Sequence, residues 1–184
     1  MTERLLELLR ERSFAKKRVI LASGKESDFF IDCKQTVLLA EGHALVGAAL
    51  HDRLARLDPA PVAVAGVALG GCPLASAVAV VSFQRGAPLD AIYVRKGAKD
   101  HGSARRIEGD THLAKGSRVV VVEDVVTTGG STLDAIGCLR EAGYAVDAVV
   151  ALVDRREGGA DAIREAGLAF EALYGREDFL GDPA

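Results

Sequence analysis

The chain predicts an α/β fold, a mostly parallel sheet flanked by helices, and three observations carry that expectation. Short, almost uninterrupted apolar runs at 61–67, 91–94, 118–122 and 145–153 alternate with segments whose apolar residues recur at helical spacing. The runs do not alternate with polar residues, so these strands expect to be covered on both faces, as central strands of parallel sheets are. Paired glycines, Gly70-Gly71 and Gly129-Gly130, follow two of the runs and precede helical periodicity, which suits a sharp strand-to-helix turn.

Taken in order, Thr2 can cap a first helix whose Leu5, Leu6, Leu8 and Leu9 form an apolar stripe between Glu and Arg residues. Residues 19–22 and 29–33 read as two short strands around a turn at Ser23-Gly24. Adjacent Phe29 and Phe30 put one ring on each face of a strand. One can enter the core while the other offers a flat surface to a planar ligand, or both can be packing residues. Residues 38–57 have helical periodicity and stop at Asp58-Pro59. His43 and His51 lie on that segment without a partner ligand four residues on, and are read as surface or capping residues. Residues 61–67 form the next strand, and a helix begins near Pro73.

After the strand at 91–94 the composition changes. Residues 95–110, RKGAKDHGSARRIEGD, mix cations with glycines and cannot form a core; they read as a solvated loop or as a cationic lid for a polyanion. The run that begins at Arg118 ends in Glu123 and Asp124, and the sheet is expected to end where these acids begin. Val125 and Val126 lead into Thr127, Thr128, Gly129, Gly130, Ser131 and Thr132, then into helical periodicity at Leu133, Ile136 and Leu139. Small residues at a helix start let backbone N–H groups converge on a phosphate, and carboxylates accept sugar hydroxyls, so this stretch describes a pocket for a phosphorylated ribose. Residues 145–153 are another apolar strand, ending in DRREGG. A short helix at 161–166 and a strand at 168–174 follow, and the last ten residues carry no expectation.

Composition sets the outer limits. With 184 residues, 49% hydrophobic and 27% charged, one globular domain over 1–184 is expected. A net charge of −3 argues against nucleic acid as the partner. Cys33, Cys72 and Cys138 lie far apart with no metal-ligand spacing, which fits a reducing cytoplasm and gives no metal residue. No apolar run approaches the about 20 residues that span a bilayer, and the charged amino terminus is unlike a signal peptide, so no membrane association is expected.

The stretch from Arg118 to Thr132 resembles the phosphoribosyl-pyrophosphate signature of the type I phosphoribosyltransferases. GKESDFFIDCKQ resembles the amino-terminal hood of orotate phosphoribosyltransferases, with Ser23, Gly24, Lys25, Ser27, Phe29, Phe30, Asp32 and Lys34 at the matching positions. RKGAKDHG followed by IEG resembles the same enzymes' catalytic loop. The resemblance implies transfer of phosphoribosyl from 5-phosphoribosyl 1-diphosphate to orotate, with Mg²⁺, in a homodimer whose loop is shared between subunits. It implies a hood over about 1–37 and a mobile catalytic loop over 95–110. It assigns the donor to Arg95, Lys96, Lys99, His101, Glu123, Asp124, Val125, Val126, Thr127, Thr128, Gly129, Gly130, Ser131 and Thr132. Orotate is assigned to Lys25, Phe29, Phe30, Thr127 and Arg155, and the catalytic roles to Lys99, His101 and Asp124. The chain departs from the pattern at Gly70, where many members carry lysine. Two other readings share the signature: transfer to another base, and a non-catalytic regulator of the same fold.

Overall fold

The structure, a computed structural model, describes residues 2–20, 26–97 and 105–180, with the backbone alone at 17–20 and 26–28. Lys25, Lys99 and His101 lie outside the described residues.

The amphipathic amino terminus forms α1 (Thr2–Arg12), burying Leu5, Leu8 and Leu9; Thr2 is its first residue rather than a residue before it. A two-stranded antiparallel hairpin follows, β1 (Phe14–Ile20) and β2 (Glu26–Ile31), with the first strand starting five residues before the expected position 19. The helix expected over 38–57 is found as α3 (Ala40–Leu54), preceded by a short α2 (Lys34–Val37) that was not expected. Leu39 between them is extended, with ψ 144°, and breaks the helical run.

The main sheet has six strands in the order β5-β4-β3-β6-β7-β8. Its parallel members are β3 (Ala63–Val67), β4 (Asp90–Val94), β6 (Val119–Val126), β7 (Ala148–Asp154) and β8 (Ala169–Gly175). Helices α4 (Gly71–Gln84), α5 (Gly130–Glu141) and α6 (Gly159–Glu165) connect them. Two cores result. One, with Val64, Val120, Val122, Leu152, Leu74 and Leu50, lies between the sheet and α3 and α4; the other, with Val119, Val121, Val149, Ile136 and Ile163, lies under α5 and α6. Buried on both sides, the central strands needed no polar face, which is why they read as continuous valine runs.

One expectation about a polar segment is corrected, and the tail, which carried none, gains a structure. The cationic stretch 95–110 contributes β5 (Ile107–Glu108), antiparallel to β4, and Ile107 is buried beneath it. The carboxyl tail forms α7 (Glu177–Leu180), whose Phe179 packs against Phe14, Phe29 and Tyr174 at centroid distances of 5.6, 5.6 and 6.5 Å. The tail therefore closes the core under the hairpin. Tyr174 Oη donates to the carbonyl of Thr2, and Arg10 bonds the carbonyl of Asp178, so both ends of the chain are tied together.

Candidate active site

The site is built where β3 and β6 part. Their parallel ladder ends at Gly66 with Val122, while β6 continues beside β7 as Val125 pairs with Val153 and Val126 with Asp154. The sheet thus stops before the acids on one edge and runs past them on the other, which corrects the expectation that it ends there. Glu123 and Asp124 stand beside the opening, where ligands of parallel α/β sheets gather.

The two carboxyls lie close enough to share a hydrogen bond, yet they meet different neighbours. Glu123 is buried on the α5 side and accepts a hydrogen bond from Thr132 Oγ1 at 3.2 Å. Burial first, and the neighbouring Asp124 charge second, push the Glu123 carboxyl up to about 8, against the opposing Thr132 bond. Asp124 is half-buried on the α4 side, against Gly70. A Cβ at Gly70 would overlap the Asp124 carboxylate. Gly70 has an ordinary helical φ of −65°, so closeness to the acid, rather than backbone freedom, accounts for glycine here. Gly71 is held as tightly, since a Cβ there would lie 2.6 Å from the carbonyl of Val122. Where the resemblance leads one to expect lysine, the chain brings backbone against the acid.

The glycine loop turns at Gly129, whose φ of 79° is left-handed, and α5 starts at Gly130. Thr128, Gly130 and Ser131 are exposed and Thr127 is half-buried, whereas Thr132 is buried on Glu123. The first-turn N–H groups have no carbonyl within the helix to bind, and with the positive end of the helix they suit a phosphate.

A second turn, at 155–159, is locked into the first. Arg155 N–H donates to the carbonyl of Val126 at 3.0 Å, and Gly159 N–H donates to that of Thr127 at 2.9 Å. A Cβ at Gly159 would lie 2.6 Å from the Thr127 carbonyl. The side chain of Asp154, fully buried, holds this turn by accepting from Arg156 N–H at 2.9 Å. Arg155 is buried: its Nη2 donates to the carbonyl of Phe29 at 2.9 Å and sits 2.9 Å from Glu157, and its guanidinium lies over the Phe29 ring.

Of the aromatic pair, Phe29 is fully buried in the core and has no surface to offer a ligand in this arrangement, which corrects its assignment to orotate; Phe30 is half-buried. Arg95 lies 3.6 Å from Glu108, and Lys96 is exposed. His43 bonds the Val37 carbonyl, as a capping residue does, whereas His51 is buried beside Arg85 rather than at the surface. Sequence reasoning passed over Glu157, Arg176 and the Thr132–Glu123 bond. Three more charges around Arg155 in DRREGG were the visible signal for the first; nothing local marks the others.

A phosphoribosyl transferase domain family matches residues 39–164. The chain is 64% identical over 180 residues to the orotate phosphoribosyltransferase of Sorangium cellulosum, covering 98% of this chain and 93% of that one. It superposes with a TM-score of 0.82 and 38% identity on Mycobacterium tuberculosis orotate phosphoribosyltransferase in complex with Fe(III) dicitrate, covering 97% and 98% of the two chains. A structure of the same bacterium's enzyme in complex with 5-phospho-alpha-D-ribosyl 1-diphosphate matches with a TM-score of 0.79 and 34% identity over 97% and 98%. With an acid pair at the end of β6, a left-handed glycine at the start of α5 and these likenesses spanning nearly the whole chain, the protein belongs to the orotate phosphoribosyltransferase family.

Proposed function

We infer that the chain transfers the 5-phosphoribosyl group from 5-phosphoribosyl 1-diphosphate to orotate, yielding orotidine 5′-monophosphate and diphosphate in pyrimidine nucleotide synthesis. The observation that carries this reading is the interlock between the two turns. The Val126 and Thr127 carbonyls hold Arg155 and Gly159, so a sugar-phosphate cradle and a guanidinium for a planar carboxylate are fixed to each other by backbone bonds.

The reaction breaks the ribose C1–O bond to diphosphate and forms a bond from C1 to a ring nitrogen of orotate, with positive charge growing on the sugar. In our reading the loop Thr127–Thr132 holds the 5′-phosphate, and Glu123 and Asp124 hold the ribose hydroxyls. With its carboxyl pushed up to about 8, Glu123 keeps its proton at neutral pH and has a donor to offer a hydroxyl, while Asp124 accepts. Arg95, Lys96, Lys99 and His101 neutralise the departing diphosphate, His101 and Lys99 handling protons there. Arg155 takes the orotate carboxylate, with Lys25, Phe30 and Thr127 around the ring.

Magnesium belongs to this reading as a charge neutraliser on the diphosphate. Among the described residues no cluster of three or more metal-ligating side chains occurs, which does not fit a cage made of protein ligands. It fits an ion carried by substrate oxygens and water, with Asp124 the carboxylate nearest the opening.

A single domain over 1–184, homodimer formation with a shared loop, and a cytoplasmic location complete the proposal. Among the described residues no helix is long and apolar enough to cross a membrane.

The direct test follows orotate consumption with and without donor and Mg²⁺, with purine bases as competitors; consumption that needs both and resists purines is expected. Asp124→Asn should lower turnover by roughly 100-fold or more while leaving the fold intact, as loss of a charged transition-state contact does. Near-normal turnover in folded Asp124→Asn would remove the ribose assignment.

A further inference from the structure

Arg155 is already occupied by a carboxylate of its own chain. Glu157 Oε1 stands 2.9 Å from Arg155 Nη2, the same nitrogen that donates to the Phe29 carbonyl. That oxygen also lies 3.9 Å from Arg176 Nη1. Both guanidinium groups face the ring of Phe29, their central carbons 5.5 Å and 5.3 Å from its centroid. The three charges differ in exposure: the side chain of Arg155 is 10% exposed, that of Glu157 21%, and that of Arg176 30%.

A guanidinium this deeply buried needs a counter-charge whether or not substrate is present, because an unpaired buried ion is costly. In the ligand-free chain Glu157 supplies it. A planar carboxylate arriving at Arg155 asks for the same donors, and two carboxylates crowded on one guanidinium repel. Glu157 has somewhere else to go, because Arg176 is a second cation within reach of the same oxygen and nearer to solvent.

We propose that Glu157 is a resident competitor for Arg155, holding it in the free enzyme and passing to Arg176 when the orotate carboxylate arrives, so that Glu157 and Arg176 together set the affinity for the base. This rests on the reading of Arg155 as the partner of orotate. Glu157 is a positioning residue here: it acts on substrate through Arg155, and no bond is made or broken in the exchange.

The test measures the orotate KM at saturating donor, and the donor KM beside it, for the wild type, Glu157→Gln, Arg176→Ala, the double variant and Arg155→Ala. Removing the competitor lowers the orotate KM of Glu157→Gln roughly three- to tenfold, the scale of a partly exposed ion pair. Arg176→Ala leaves Glu157 with Arg155 alone and raises the orotate KM. In the Glu157→Gln background, Arg176→Ala no longer raises it. Damage to the turn would instead raise both KM values, so a fall confined to orotate separates the two roles. An unchanged or raised orotate KM in Glu157→Gln overturns the proposal, as does an Arg176→Ala effect that persists undiminished in the double variant. If Glu157→Gln fails to fold, an orotate KM left unchanged by Arg176→Ala alone overturns it. Arg155→Ala separates the levels: an unaltered orotate KM removes both readings, whereas a raised KM without the Glu157 response removes the competitor alone.

Discussion

At Glu123 the surroundings hold a carboxyl in its protonated form, because burial and the Asp124 charge both disfavour a second negative charge. Between the ordinary carboxylate range and about pH 8 the folded chain keeps a proton at this position that the unfolded chain has released. Folding then binds more protons than unfolding, so this group's contribution to stability is full at low pH and falls as pH rises toward about 8. Glu123→Gln removes the titration. Urea midpoints at pH 5, 7 and 9 should show the variant gaining on the wild type as pH rises, by more than about 1 kcal/mol across the window. A constant difference between the two proteins would show that Glu123 is ionised in the fold. The acid pair itself was plain in the sequence, but its single proton was not. That depends on how completely α5 covers the strand, with the bond from Thr132, nine residues on, pulling the other way.

At the scale of elements, legibility followed the source of each element's stability. Strands β3, β6 and β7 are buried on both faces and announce themselves as apolar runs. β5 has one buried residue in its two positions, Ile107 inside a cationic stretch, and α7 spans four residues around Phe179; both are held by partners far away in sequence. The same holds for Arg155, whose bond to the Phe29 carbonyl crosses 126 positions. Its neighbours in the turn could be read, but not the ring beneath it. The interlock of the turns at 127–130 and 155–159 gives a prediction at this scale. In Gly159→Ala the new Cβ meets the Thr127 carbonyl and Val126 Cγ1, each at 2.6 Å, and neither belongs to a long flexible side chain. The turns must separate, at a cost of about 1–3 kcal/mol as for other overpacked sites. Because the proposed function puts the donor's phosphate on the first turn and Arg155 for orotate on the second, the KM values for donor and orotate should rise together. A rise in only one would show that the turns move independently.

On the scale of the whole molecule, the proposed site draws on residues from widely separated parts of the chain, and in the proposed dimer the partner's loop completes it. Leu69, in the turn before α4, and Val80 and Phe83, three residues apart on α4, are 71%, 57% and 76% exposed. Exposed apolar residues of this size suit contact with a second chain, and the proposed shared loop is tested through such a dimer. Asp124→Asn damages the pocket and Lys99→Ala damages the loop, so in a homodimer of either variant every site is defective. Unfolded together in equal amounts and refolded, with mixed dimers isolated through two different affinity tags to prove that they form, the pair distinguishes the arrangements. With loops working across the interface, a mixed dimer has one site carrying both lesions and one carrying neither. Half the dimers are mixed and half of their sites are whole, so activity returns to roughly a quarter of wild type. Loops that serve their own chain leave one lesion in every site, and the mixture then stays as inactive as its parents. Silence in the isolated mixed dimers would refute the shared loop while leaving the assignment of orotate, which rests on Arg155, intact.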